Sequence, residues 1–201
     1  MENSLRAELG ATPDPTFSFT LPTGWSMTPV NEAAEKTVQS QLAKRLMASG
    51  HPELLAQLRP MVAQAYSKMQ NAKAVATIGP MEPSDDMVLV PGSIVAAIRR
   101  STPTLPVQQL AVGMIRKYGA TPLFGDPRIM FFRSEREENM QGEKVIIDTS
   151  TYLTPVPKTR REKALQLTGS FIRPADTPAD DEAAVRIHML FDGIVSSLRW
   201  E

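Results

Sequence analysis

The stretch Glu143-Lys-Val-Ile-Ile-Asp-Thr-Ser-Thr-Tyr152 decides the fold class. It is rich in Val, Ile, Thr and Tyr, the side chains that fit a pleated, half-buried surface. Turn sequences bound it on both sides, Asn139–Gly142 before it and Pro157–Arg161 after it. Beyond those turns, Arg128–Arg133 and Lys163–Ile172 read as two further strands. The second of them places Leu165, Leu167, Gly169 and Phe171 on one face. Three consecutive strands with short connections form an antiparallel meander, because parallel strands need long crossovers.

Toward the C-terminus, Thr177 and Pro178 read as the cap and first turn of a helix, with Asp180, Asp181 and Glu182 where the helix dipole favours negative charge. Ala184, Ile187, Phe191, Ile194, Val195 and Leu198 form its predicted buried face. Toward the N-terminus, a helix after Pro103 or Pro106 presents Val107, Leu110, Ala111, Met114, Ile115 and Tyr118, and Gly119 caps it. Met87–Val90 and Ser93–Ile98 read as strand interrupted at Pro91-Gly92, while Lys73–Ile78 fits helix tail and strand equally. Two helices precede them. One starts at the N-cap Asn31 and ends at Gly50; the other follows Pro52 and carries a strong apolar period from Leu54 to Met69, with a kink or break expected at Pro60. Phe17–Leu21 and Trp25–Met27 read as strands.

The order is β-β-α-α-β-α-β-β-β-α. It predicts an α+β protein, an α/β/α sandwich with a mostly antiparallel sheet, an inserted αα-hairpin and a C-terminal helix packed on the sheet. Residues 1–16 read as a loose leader and 17–201 as one domain, with 31–70 the helical hairpin insertion.

Composition excludes several classes. The chain has 201 residues, 22 Lys+Arg, 22 Asp+Glu, two His and no Cys. Without cysteine there is no disulfide scaffold, thiol nucleophile or Cys-ligated metal. Zero net charge argues against nucleic acid as the main partner. No apolar run approaches membrane-spanning length, and the N-terminal sequence lacks a signal-peptide core, so the expected location is cytoplasmic. The charge is unevenly spread: residues 41–80 carry five basic and one acidic residue, whereas 174–201 carry two basic and six acidic. Separated faces would make the molecule dipolar.

Two terminal stretches, Phe17-Ser-Phe-Thr-Leu-Pro-Thr-Gly-Trp25 and Phe191-Asp-Gly-Ile-Val-Ser-Ser-Leu-Arg-Trp200, resemble the PsbP-like fold, which is shared by photosystem accessory proteins, a Ran-binding nuclear import factor and small bacterial proteins. The strand end Tyr152-Leu-Thr-Pro-Val-Pro157 is similar to bacterial members of that group. The resemblance implies an α/β/α sandwich and an accessory role exercised through partners, with no shared catalytic site. It carries no functional residue over, and it does not extend to the αα-hairpin.

Among residues able to do chemistry, His51 sits at a helix start, where capping explains it. His188 lies one turn before Asp192, a spacing that permits a contact, and it is the centre of a remote hydrolase reading. No Gly-x-Ser-x-Gly elbow or phosphate loop accompanies it. Asp180, Asp181 and Glu182 point in different directions and read as dipole complements rather than metal ligands; no cofactor is expected. Lys158, Arg160 and Arg161 crowd one hairpin loop with only Glu162 opposing, a patch suited to an acidic partner. Met61 and Met69 lie on the αα-hairpin, whose free edge is the other candidate contact, for a protein partner or a homodimer. The leading expectation is therefore a non-enzymatic protein-interaction or accessory module. The alternative is a small-ligand-binding domain with its pocket between sheet and hairpin.

Overall fold

The computed structural model describes residues 14–80, 91–140 and 142–201. The chain is an α+β protein built on a seven-stranded antiparallel sheet of order β2-β3-β4-β8-β7-β6-β5. Its strands are β2 (Trp25–Pro29), β3 (Ala74–Pro80), β4 (Gly92–Arg100), β5 (Thr121–Leu123), β6 (Asp126–Met140), β7 (Glu143–Pro155) and β8 (Lys163–Pro174). The meander β6-β7-β8 forms its centre, with β7 paired along its length to both neighbours. A separate two-stranded ribbon joins β1 (Phe17–Ser18) to β9 (Arg199–Trp200), pairing Phe17 with Trp200. The described helices are α1 (Glu32–Ala48), α2 (Glu53–Asn71), α3 (Val107–Tyr118) and α4 (Glu182–Ser196).

Strand alternation sorts the core onto two faces. Tyr152, Leu165, Leu167 and Phe171 belong to one cluster with Phe191, Ile194 and Val195 of α4. Their sequence neighbours Leu153 and Ala164 belong to a second cluster with Val107 and Met114 of α3. The two helices thus cover opposite faces. Close seating of α4 depends on two missing side chains: a Cβ at Gly169 would stand 2.6 Å from the Phe191 ring, and one at Gly92 would stand 3.1 Å from it. Phe191 is fully buried in that cradle.

The αα-hairpin is inserted between two neighbouring strands, since β2 and β3 pair directly across it. Asn31 caps α1 as its side chain accepts from the Ala34 N–H at 2.8 Å. The sequence predicts a kink or break at Pro60; the helix is not broken there, and α2 continues through it as one element. Ala56, whose carbonyl loses its donor, and Pro60 are both exposed, so solvent can satisfy the freed group. The last helix begins later than the predicted cap at Thr177. Asp181 caps it instead, accepting from the Ala183 N–H, and Thr177 closes a turn onto the Pro174 carbonyl. The predicted strand Phe17–Leu21 stops at Ser18, though Phe19 and Leu21 still pack on the core. The ambiguous Lys73–Ile78 is strand. The strand reading of Met87–Val90 lies outside the described residues, as do residues 1–13 of the expected leader. Asp14, from the same stretch, is ion-paired to Arg100 at 2.6 Å and also to Lys163. Burial opposes ionisation of Asp14, but the two cations outweigh it and hold its carboxyl below the usual range.

From Phe132 to Met140 the outer edge of β6 pairs with no strand among the described residues. Arg133, Glu135, Arg136, Glu137 and Glu138 line this stretch, the charged pattern that keeps an edge from pairing with other chains.

Candidate functional site

Among the described residues, five that are not glycine have positive φ: Lys73 (59°), Phe124 (49°), Lys158 (62°), Arg160 (51°) and Arg161 (64°). L-residues in this left-handed region each cost about 1 kcal/mol or more. All five stand at one end of the sheet. Lys73 precedes β3, Phe124 is in the β5–β6 turn, and the other three are in the β7–β8 loop. The antiparallel register brings these turns together: Ala74 pairs with Ala97, Arg100 with Lys163, Pro155 with Ala164, and Leu123 with Asp126. The opposite end carries Glu143, Asp176, Asp180, Asp181 and Glu182 beside Lys144, Arg173 and Arg186.

Lys158, Arg160 and Arg161 line one cleft of about 410 Å³ together with Arg128, Ile129, Leu198 and Trp200. Val156 and Ile129 are buried beneath it, and Leu198 and Trp200 are half-buried. The three loop cations have no ion-pair or hydrogen-bond partner among the described residues. The last turn of α4 contains no basic residue, and none of the three donates to its carbonyls. Arg128 differs: it grips Asp126 through both carboxylate oxygens, at 3.0 and 2.7 Å, and holds the Asp126 carboxyl down to about 2. Phe124, beside Asp126, is 74% exposed. A left-handed conformation and a large exposed apolar surface are both unusual for Phe.

On the other side of the same end lies a groove of about 850 Å³ between the end of α2, the sheet and α3. Lys73, Val75, Ile98, Leu105, Val107 and Leu110 line it. The sequence predicts a ligand pocket between sheet and hairpin; the hairpin contributes only Gln70 to this groove. Met61 and Met69 lie elsewhere. Met61 is exposed and Met69 half-buried on α2, which packs on α1 and β3 rather than on the β7–β8 loop.

His188 has a different setting from the one its spacing suggests. Its Nδ1 lies 3.0 Å from Ser150 Oγ and its Nε2 3.8 Å from Asp148 Oδ1. Asp192, the expected partner, instead accepts from the Tyr152 hydroxyl and from Arg133, both at 2.6 Å. The signal for the actual partners is the i, i+2 spacing of Asp148 and Ser150 on β7, which points both beneath α4. The set has hydrolase residue types, but Ser150 is fully buried and His188 7% exposed, so no substrate reaches the hydroxyl. Arg173 completes the network, donating Nε to Asp148 at 2.5 Å, Nη2 to Glu135 at 2.8 Å and Nη1 to the Thr177 carbonyl. Every buried side-chain polar atom among the described residues has a partner. Burial raises the Tyr152 hydroxyl well above its ordinary value, and the Asp192 carboxylate adds to it.

Burial, and next the Arg133 charge, push the His188 imidazole below its ordinary value; Asp148, Asp192 and Glu135 oppose them without reversing the shift. The unfolded chain therefore binds this proton at higher pH than the folded one. Stability is fully present above about pH 7 and falls as pH drops through about 6.5, until the folded value is reached. Urea midpoints between pH 7.5 and 5 should show that fall, and His188→Asn should flatten it.

Among the described residues no group of three or more His, Asp or Glu is placed to hold a metal ion, and no helix is long and apolar enough to cross a membrane.

No family model and no curated protein matches the chain. Among solved structures, LpqN of Mycobacterium tuberculosis, involved in cell envelope biogenesis, aligns at 14% identity with a TM-score of 0.45 over 94% of this chain and 86% of that one. A structure from Bacteroides thetaiotaomicron VPI-5482 aligns at 7% identity with a TM-score of 0.42. That alignment covers 92% of this chain and 45% of the other, so this chain spans less than half the length of that relative.

Proposed function

We propose that the protein is a non-enzymatic interaction module that engages an acidic protein partner through the strained, cationic end of its sheet. The observation that carries this reading is the gathering, among the described residues, of the five left-handed non-glycine residues in the turns of one end, four of them cations. Backbone strain of this kind is held in place by the surrounding structure and clusters at binding and active sites, which supports the reading. Among the described residues the three β7–β8 cations have no carboxylate partner, which leaves them available to one supplied from outside. The resemblance of the chain ends to PsbP-like proteins, which act through partners, supports the same reading.

The test is affinity capture from the source cell at near-physiological salt. The unaltered protein should retain a specific acidic partner that Lys158→Glu/Arg160→Glu/Arg161→Glu does not. Equal capture by both proteins would contradict the proposal.

A second reading, small-ligand binding, is favoured by the groove beside Lys73, whose volume lies in the range of ligand pockets. A thermal-shift screen separates the two, since a ligand of the folded state raises the melting temperature.

A further inference from the structure

We infer that the cleft between the β7–β8 loop and the C-terminal strand β9 receives one apolar side chain of an acidic protein segment, with Leu198 and Trp200 as its floor and Lys158, Arg160 and Arg161 as its charged rim. The inference rests on the reading of this end as the recognition surface and adds what is recognised. The cleft joins two kinds of surface. Its rim carries three cations without partners among the described residues, while the facing Arg128 is already neutralised by Asp126. Its floor is apolar, with Ile129 buried beneath half-buried Leu198 and Trp200. A simple inorganic anion would use the rim and leave the floor wet. A segment with carboxylates flanking an aromatic or aliphatic residue satisfies both.

Charge complementarity selects an acidic occupant, and the pairing of Trp with Arg is the composition of energetic centres in protein interfaces. The confinement of the cations to one short loop in a chain of zero net charge disfavours an extended polyanion. The cleft's volume of about 410 Å³ suits a side chain better than a folded surface.

The test uses a fluorescein-labelled synthetic peptide with one Phe between runs of Glu, the same peptide with Ser for Phe, and N-acetylphenylalanine. The Phe peptide should bind the full chain at least about tenfold more tightly than the Ser peptide, the effect of burying one large apolar side chain. It should also change tryptophan emission, and since Trp25 is buried the change reports Trp200. Lys158→Glu/Arg160→Glu/Arg161→Glu should bind neither peptide. Equal binding of the two peptides with unchanged emission would overturn the inference while leaving the cationic end as recognition surface. N-acetylphenylalanine binding as tightly as the Phe peptide would replace the protein segment with a small anion. If neither peptide binds and the charge-reversed protein captures the same partners, the inference and the reading beneath it both fall.

Discussion

Arg173→Ala should destabilise the protein by about 3–5 kcal/mol, the cost of leaving a buried charge without its partner. Arg173 is 7% exposed and Asp148 3%, and the guanidinium bonds to Asp148, to Glu135 and to the Thr177 carbonyl. Burial works against the Arg173 charge, yet Asp148 and Glu135 raise its proton affinity above the ordinary value. Removing it strands Asp148 beneath α4 with only Ser150-bonded His188 nearby, at 3.8 Å. A loss of this size is a large share of the roughly 5–15 kcal/mol that holds a domain together. The partial remedy is equally specific. Arg173→Met/Asp148→Leu removes both charges, and a buried pair replaced by apolar groups is often neutral. Glu135 is half-exposed and can turn to water. The double variant should therefore recover at least about half of the loss, read as a urea midpoint at constant slope. A single variant within about 1 kcal/mol of the unaltered protein would show that the network does not fasten α4.

Lys158→Glu/Arg160→Glu/Arg161→Glu should weaken binding of the acidic partner by roughly 100-fold, with little change in stability. Each exposed ion pair contributes about 0.2–1 kcal/mol, and reversal replaces attraction by repulsion at three adjacent positions. All three residues are exposed and have no partner among the described residues, so the described structure loses no bond. The remaining affinity should depend less on salt, because the screened contribution is the one removed.

How far the sequence carries depends on the length scale of each signal. The meander was legible because Glu143–Tyr152 and Lys163–Ile172 sustain a strand pattern over many residues. β5 and β9 were not, because three and two residues are too short for a period. Thr177 has the residue type of a cap, but the chain spends it on the turn that accepts Arg173, and Asp181 takes the cap. His188 and Asp192 meet the helical spacing rule, yet the sheet supplies Ser150 and Asp148 to the imidazole, a tertiary pairing that helix spacing does not encode. Lys158, Arg160 and Arg161 were legible as a charged loop. Their shared left-handed backbone was not, since Gly or Asn, rather than Lys and Arg, ordinarily announces that conformation. Phe124 was missed for the same reason, although Gly125 after it hinted at a tight hairpin.

The central claim is that the β7–β8 loop tolerates backbone strain because the cations placed there serve recognition. Arg160→Gly/Arg161→Gly relaxes that strain and removes two of the cations at once. The decisive measurement is the affinity of this variant for the captured acidic partner, taken together with its unfolding midpoint. The account predicts stability kept or raised by about 1 kcal/mol, because glycine adopts positive φ without steric cost, and affinity reduced at least about tenfold. Unchanged affinity, or a loss of stability that accounts for the weaker binding, would contradict it.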